Sequence, residues 1–459
     1  MELIDNILSF DKELEKKYSN CIVVDDYLTR QLVSYQANKK QAFYNWFKYK
    51  EGFSADLVKY FFQKYKIQDG PILDPFAGIG TTLFVSSELG FKSDGIELLP
   101  SSIEIINARK TFLFELTEID INIISKWKEE KPWLLSDGKI ELYFFRITKG
   151  AYPDKTKSMI EKYLYELGKI NDINAKKMLF LSLISILESV SFTRKDGQYL
   201  RWDFRSGRQV GTIPFDKGII SNFDEAINSK LNEIVHDFHL IKNGNLFKID
   251  YADINIYSGS CLDIFPTLNS NYYQAIITSP PYCNRYDYTR TYALELGLLE
   301  ISQAELNEIR QTMLSCTVEN KEKNLMRINN EWSIPINISN NSSLLQSIIE
   351  YLENQKKSKL LNNNGIVRMV KGYFYELACI IYESYRVLKD GGLMFMVNDN
   401  VRYAGVSVSV DLILSDIAKE IGFKIDNILV LPIGKGNSSQ QMGIHGREEL
   451  RKCIYVWRK

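Results

Sequence analysis

The chain has 459 residues, 45% hydrophobic and 25% charged, with 57 basic and 57 acidic side chains and so no formal net charge. That length supports one large domain with insertions, or two to three units, around a substantial core. No run of about 18 apolar residues is present to span a bilayer. A neutral chain offers no overall field to an anionic partner, so any hold on phosphate must come from local basic patches.

The start, Met1-Glu2-Leu3-Ile4-Asp5, lacks the basic, apolar, small-residue order of a secretory signal, and a cytoplasmic location is expected. The six cysteines (Cys21, Cys261, Cys283, Cys316, Cys379, Cys453) show no paired spacing, which favours free thiols over disulfides or a zinc ribbon. His236 and His239, with Asp237 between them, read as solvated or structural residues on a helix, and no metal is expected.

Residues 1–43 read as a charged helical lead-in. Residues 44–65 are aromatic-rich, and Ser54 ahead of Ala55-Asp56-Leu57-Val58 has the form of a helix N-cap. The strand Pro71-Ile72-Leu73, a glycine loop, a helix from Thr82 to Leu89 stopped by Gly90, and a strand from Phe91 to Ile96 complete one βαβ unit. The next convincing strand, Ile254 to Tyr257, comes only after a long gap, so 112–250 is expected to be an insertion between the blocks 44–111 and 251–300. A second insertion, 301–365, is rich in Asn, Lys and Ser and is expected to be the most flexible part. The block 366–459 then gives a helix from Ile366 to Leu388 stopped by Lys389-Asp390-Gly391-Gly392 and a strand from Leu393 to Val397. A helix from Val410 to Ile421 and a closing strand pair, Ile425 to Leu431 and Lys452 to Trp457, complete it.

Two motifs carry the chemistry. The loop Asp74-Pro75-Phe76-Ala77-Gly78-Ile79-Gly80-Thr81-Thr82 joins a strand to a helix. It has Leu83 where a dinucleotide fingerprint needs a third glycine, and it lacks the Gly-Lys-Ser/Thr of a P-loop. The second motif, Ser279-Pro280-Pro281-Tyr282, closes the apolar run Ala275-Ile276-Ile277 and sets a hydroxyl, a carbonyl, two rigid rings and an aromatic at a strand end. Together they resemble the amino-methyltransferases of DNA, which methylate cytosine N4 or adenine N6. The resemblance covers 44–111, 251–300 and 366–459. It implies an α/β fold, a Rossmann-like class I methyltransferase sheet with a large, mainly helical target-recognition insertion at 112–250, and S-adenosylmethionine as methyl donor.

On that footing Asp74 can reach the methionine ammonium. Gly78 and Gly80 let backbone approach the ligand, Thr81 belongs to the same cofactor loop, and Phe76 offers an apolar wall. Glu97, at the next strand end, can accept both ribose hydroxyls. Ser260 stands where the family often has an acid, so the adenine amino group falls to Ser260, Cys261 or nearby backbone. Phe53 and Ser54 place a helix N-terminus where the methionine carboxylate could bind.

An exocyclic amine is a poor nucleophile because its lone pair is delocalised into the ring. The Ser279 side chain and the Pro280 carbonyl can accept its two protons, Pro281 stiffens the loop, and Tyr282 can stack on a base flipped from the duplex. Cys283 invites the thiolate chemistry of carbon-5 methyltransferases, but those present Pro-Cys directly and Tyr282 intervenes here.

The stretch Arg194 to Arg208, with Arg194, Lys195, Arg201, Arg205 and Arg208 among aromatics, is the leading candidate for DNA contact; a solvated hairpin is the alternative. Arg285 and Arg290 could grip the flipped nucleotide's backbone. The resemblance thus implies a site-specific enzyme acting on double-stranded DNA, with serine at 279 favouring cytosine N4 over adenine N6, and a possible cognate restriction endonuclease as partner. An RNA amino-methyltransferase and an inactive DNA-binding subunit remain as alternatives.

Overall fold

The computed structural model describes residues 2–196, 199–208, 213–243, 250–432 and 450–459; Gly197 and Gln198 of the basic stretch lie outside the described residues. The strands in chain order are β1 (Ile22–Val24), β2 (Ile72–Asp74), β3 (Ser93–Glu97), β4 (Thr193–Asp196), β5 (Tyr199–Trp202), β6 (Ile254–Ser258), β7 (Tyr273–Thr278), β8 (Leu388–Asp399), β9 (Val401–Tyr403), β10 (Val406–Val408), β11 (Lys424–Val430) and β12 (Lys452–Arg458). Eight of them form one sheet in the order β1-β11-β12-β8-β7-β2-β3-β6, while β4-β5 and β9-β10 are separate hairpins. Within the large sheet β12 alone runs antiparallel to its neighbours.

The central strands β2 and β7 are almost wholly buried, as a parallel sheet covered by helices on both faces requires. Helix Thr81–Glu88 is buried from Thr81 to Ser87. Such a helix, enclosed all round, can begin only where the loop before it turns sharply, and Gly78 and Gly80 supply the turn with φ of 55° and 83°. No described helix is long and apolar enough to cross a membrane.

Three sequence expectations change. The lead-in is a helix, Glu2–Lys17, followed by β1, which pairs with β11 and joins the main sheet; Val23 and Val24 sit exposed at that edge, so no alternating pattern announces the strand. Residues 389–392 do not cap the long helix. It ends at Val387, Leu388 is extended, and the ladder to β7 shifts register across the segment, with Gly391 at φ 77°. Residues 301–365 are largely helical, including Gln303–Thr312, Ser333–Asn341 and Ser343–Lys357, because their scattered apolar residues Leu344, Leu345, Ile348 and Leu352 form one buried face.

Between β3 and β6 the chain builds a helical layer, chiefly Glu118–Glu130, Asp154–Gly168, Ile173–Val190 and Phe223–Phe238, whose apolar residues are continuous with the sheet's core. Asp237 fastens this layer to the segment before β2, accepting from Phe43 N at 2.9 Å and Trp46 Nε1 at 2.7 Å.

Candidate active site

From β2 the chain leaves toward β3, and from β7 it leaves toward β8, on opposite sides of their shared boundary. Connections diverge there and open a crevice beyond the carboxyl ends. Asp74 ends β2 and Thr278 ends β7, and the Thr278 hydroxyl donates to Asp74 Oδ1 at 2.7 Å, with Phe76 N donating to the same oxygen at 3.1 Å. Burial pushes the Asp74 carboxyl up to about 6, against those hydrogen bonds. Glu97 ends β3 and is pushed up to about 7 by burial, opposed by backbone donors. Its Oε2 accepts from Gly78 N at 2.7 Å, and its Oε1 from Leu98 N at 3.0 Å and Leu99 N at 2.7 Å. These occupy three of a carboxylate's roughly four acceptor positions. Glu97 therefore keeps about one place for a ligand hydroxyl, not the two suggested by its strand-end position.

A cavity of about 810 Å³ opens over these carboxylates. It gathers Phe53, Asp74, Phe76, Gly78, Thr81, Glu97, Ser260, Cys261, Ser279 and Pro281 on one wall system. Gly80 is not on that wall. A Cβ there would lie 2.8 Å from the Phe84 ring, so this glycine serves the turn and its packing. Ser54 is fully buried, donates to Leu32 O at 2.6 Å and accepts from Leu57 N, while Asn38 takes Ala55 N at 2.9 Å. The helix N-terminus is thus capped by its own chain, and Ser54 is not a cavity residue.

Sequence reasoning missed Tyr49, Glu51 and Tyr288 on this wall, and Met313 and Leu314, which arrive from the second insertion. The Ser260 hydroxyl donates to Thr312 O at 3.1 Å and ties that insertion to the cavity. Nothing local in the sequence marks Met313 or Leu314. Tyr49 and Glu51 belong to the aromatic stretch before β2, where the Tyr49 ring lies 3.0 Å from the position a Cβ on Gly78 would take. Glu51 accepts from the hydroxyls of Tyr286 and Tyr292, and Tyr49 stacks on Tyr292.

A second cavity, of about 910 Å³, meets the first at Glu51 and Gly52. Tyr282 lines it, with Gln31, Gln36, Lys50, Asp399 and Lys452. Ser279-Pro280-Pro281-Tyr282 is consequently a partition: Ser279 and Pro281 face one cavity, Tyr282 the other, and Pro280 is buried between. Ser279 Oγ donates to Tyr282 Oη at 3.3 Å. Cys283 is fully buried, out of reach of a base, and burial pushes its thiol well above the ordinary range, disfavouring the thiolate.

The basic residues divide. Lys195 is a correction to the DNA-contact set: it is 2% exposed, its Nζ lies 2.5 Å from Glu295 Oε1, and it sits over the rings of Tyr292 and Phe47. Alternation along β4 explains this, since Thr193 and Lys195 point inward while Arg194 points out. Lys195→Met is expected to lower stability by about 3–5 kcal/mol in urea unfolding, because it strands the Glu295 charge in the core.

Arg194 and Arg201 are cross-strand partners on the outer face of the hairpin, a like-charge pair that folding alone would disfavour. Arg201 lies 3.3 Å from Asp196 and over Phe215, Arg205 is gripped by Asp203 at 2.6 Å, and Arg208 donates to Lys149 O at 2.6 Å above Trp202. Arg285 adopts φ 65° with Nη1 3.5 Å from Asn362, and Arg290 pairs with Asp287 and Glu319. Arg290 is thereby neutralised by two carboxylates. Arg201→Ala with Arg205→Ala is expected to weaken DNA association and to reduce the salt slope by about one unit per lost phosphate contact, read by titration at several salt concentrations.

Residues 7–108 match the family model described as DNA methylase. Over 459 aligned residues the chain is 52% identical to the Type II methyltransferase M.AvaI of Nostoc sp. and to that of Anabaena variabilis, covering 99% of this chain and 94% of each relative. It is 40% identical to the Type II methyltransferase M.BsoBI of Geobacillus stearothermophilus, covering 97% of this chain and 91% of the relative. The chain belongs to the type II DNA methyltransferases. No solved structure matches it.

Membership of this family makes the protein a site-specific DNA-methylating enzyme and implies S-adenosylmethionine as donor. The first cavity of the methyltransferase fits that group in its chemistry. Two buried carboxylates, their ionisation opposed by desolvation and, at Glu97, also by the nearby Asp74 charge, favour a cationic ligand, and Gly78 leaves room for backbone approach beside Tyr49. Phe53, Phe76, Met313 and Leu314 add apolar surface for a planar ring.

Proposed function

We propose that this methyltransferase acts on the exocyclic N4 amine of cytosine in duplex DNA, with the donor over Asp74 and Glu97 and the extruded base against Tyr282. The observation that carries the reading is the Ser279-Pro280-Pro281-Tyr282 partition between two adjoining cavities. S-adenosylmethionine, when bound, supplies an electrophilic methyl on a sulfonium.

The chain's own residues do the rest. The Ser279 side chain and the Pro280 carbonyl accept the amino protons and draw the nitrogen lone pair out of the ring. Tyr282 holds the ring plane, and the prolines fix the approach; positioning of this kind is worth up to about 7–11 kcal/mol. With the donor held over Asp74 and Glu97, its sulfonium would supply the methyl to that lone pair, and the proton the amine loses would pass to solvent. Serine at 279 is short and leaves room for the smaller pyrimidine to sit deep beneath Tyr282.

Residues 112–250 are proposed as the target-recognition region, with the outer face of β4-β5 on the DNA. A restriction endonuclease cutting the same sequence is the implied partner. Digestion of methylated duplex to nucleosides, followed by mass spectrometry, tests the reading. N4-methylcytosine is expected; N6-methyladenine alone would overturn the choice of base, and 5-methylcytosine would overturn the mechanism as well.

A further inference from the structure

The second cavity contains an ion pair that no step above uses. Thr278 pairs with Met396 across the parallel strands β7 and β8, so the end of β8, Asp399, lies beside the Ser-Pro-Pro-Tyr loop as the chain continues from β7. Asp399 pairs in turn with Lys452, the first residue of β12, and Lys452 Nζ lies 2.9 Å from Asp399 Oδ2. Both line the cavity that Tyr282 lines, and both are part-buried. An ammonium has three donors and no acceptor, and the carboxylate uses one of them. Lys50, also on this wall, is held by the Lys195 carbonyl, whereas Lys452 is held by the carboxylate at the end of the strand that runs beside β7.

We propose that Lys452, steered by Asp399, donates to the O2 and N3 edge of the extruded cytosine and so determines which base is accepted. The inference rests on the proposed cytosine reading. Cytosine offers two adjacent acceptors beyond its amine. Adenine offers one beside a C–H, and thymine places an N–H where cytosine has N3, which a lysine cannot satisfy. Ser279 and the Pro280 carbonyl, as acceptors, read the amine, and Lys452, as donor, reads the remainder; a base must match both to sit beneath Tyr282.

The test compares K452M with the wild-type enzyme on two duplexes, one carrying the target cytosine and one with an abasic site in its place. Affinity is measured by anisotropy, with cofactor binding by calorimetry as the check on folding. K452M should bind the cytosine duplex about tenfold more weakly and the abasic duplex as the wild type does. K452R, which keeps a donor, should recover part of the loss. Equal losses on both duplexes would mean a phosphate or structural role, and no loss on either would mean no contact; each overturns the proposal. Wild-type formation of N6-methyladenine would overturn the cytosine reading and this proposal together, whereas N4-methylcytosine with an indifferent K452M overturns this proposal alone.

Discussion

Asp74→Ala is expected to abolish S-adenosylmethionine binding in calorimetry while thermal unfolding stays cooperative. Asp74 is 2% exposed at the end of β2 and with Glu97 forms the carboxylate floor of a cavity that has no cation among its described lining residues. Its removal takes away one of the buried carboxylates that a cationic ligand would neutralise. Gly78→Val should have the same outcome by a steric route, because φ is 55° and the added Cβ would meet the Tyr49 ring at 3.0 Å. A pH dependence accompanies this. The carboxyls sit at about 6 and about 7 because burial opposes their ionisation, and a bound cation favours the ionised forms. Affinity should therefore rise as pH increases through that interval, level off above it, and be accompanied by proton release within it. Wild-type affinity in both variants, or affinity flat across the interval, would contradict the placement of the donor.

Ser279→Ala and Tyr282→Ala are each expected to cut turnover by about a hundredfold or more, the first by removing a polar contact aimed at a developing charge and the second by losing the positioning of the ring, with cofactor affinity unchanged. The asymmetry follows from the partition. Tyr282 lines only the second cavity, and Ser279, although on the wall of the first, turns its hydroxyl toward Tyr282 Oη rather than toward Asp74 or Glu97. Single-turnover rates with saturating donor separate the chemical step from binding. Loss of donor affinity in Tyr282→Ala would mean that the two cavities are not divided in function as the geometry divides them.

How far the sequence carried this account depended on the range of the interactions. The glycine loop and Ser-Pro-Pro-Tyr each have a chemistry confined to a few consecutive residues, so strand, loop and helix could be read around them, and Asp74 and Glu97 could be set at neighbouring strand ends. Met313 and Leu314 reach the same cavity by a fold of the second insertion that has no local signature, and Lys452 meets Asp399 only because β12 returns antiparallel beside β8. Lys195 shows the opposite failure. A basic residue in a basic stretch looked exposed, yet the period of two along β4 turned it into the core beneath Tyr292. Ser54 likewise had the right cap chemistry but spends it on Leu57 and Leu32.

Methyl donor and target base are proposed to occupy separate cavities across the Ser279–Tyr282 loop. A crystal structure of the ternary complex with S-adenosylhomocysteine and a duplex bearing the target site tests it most directly. The thioether ligand is expected over Asp74 and Glu97, and an extruded cytosine against Tyr282 with its amine at Ser279 and the Pro280 carbonyl. A cytosine still stacked in the duplex, or a base lodged in the Asp74–Glu97 cavity, would contradict it.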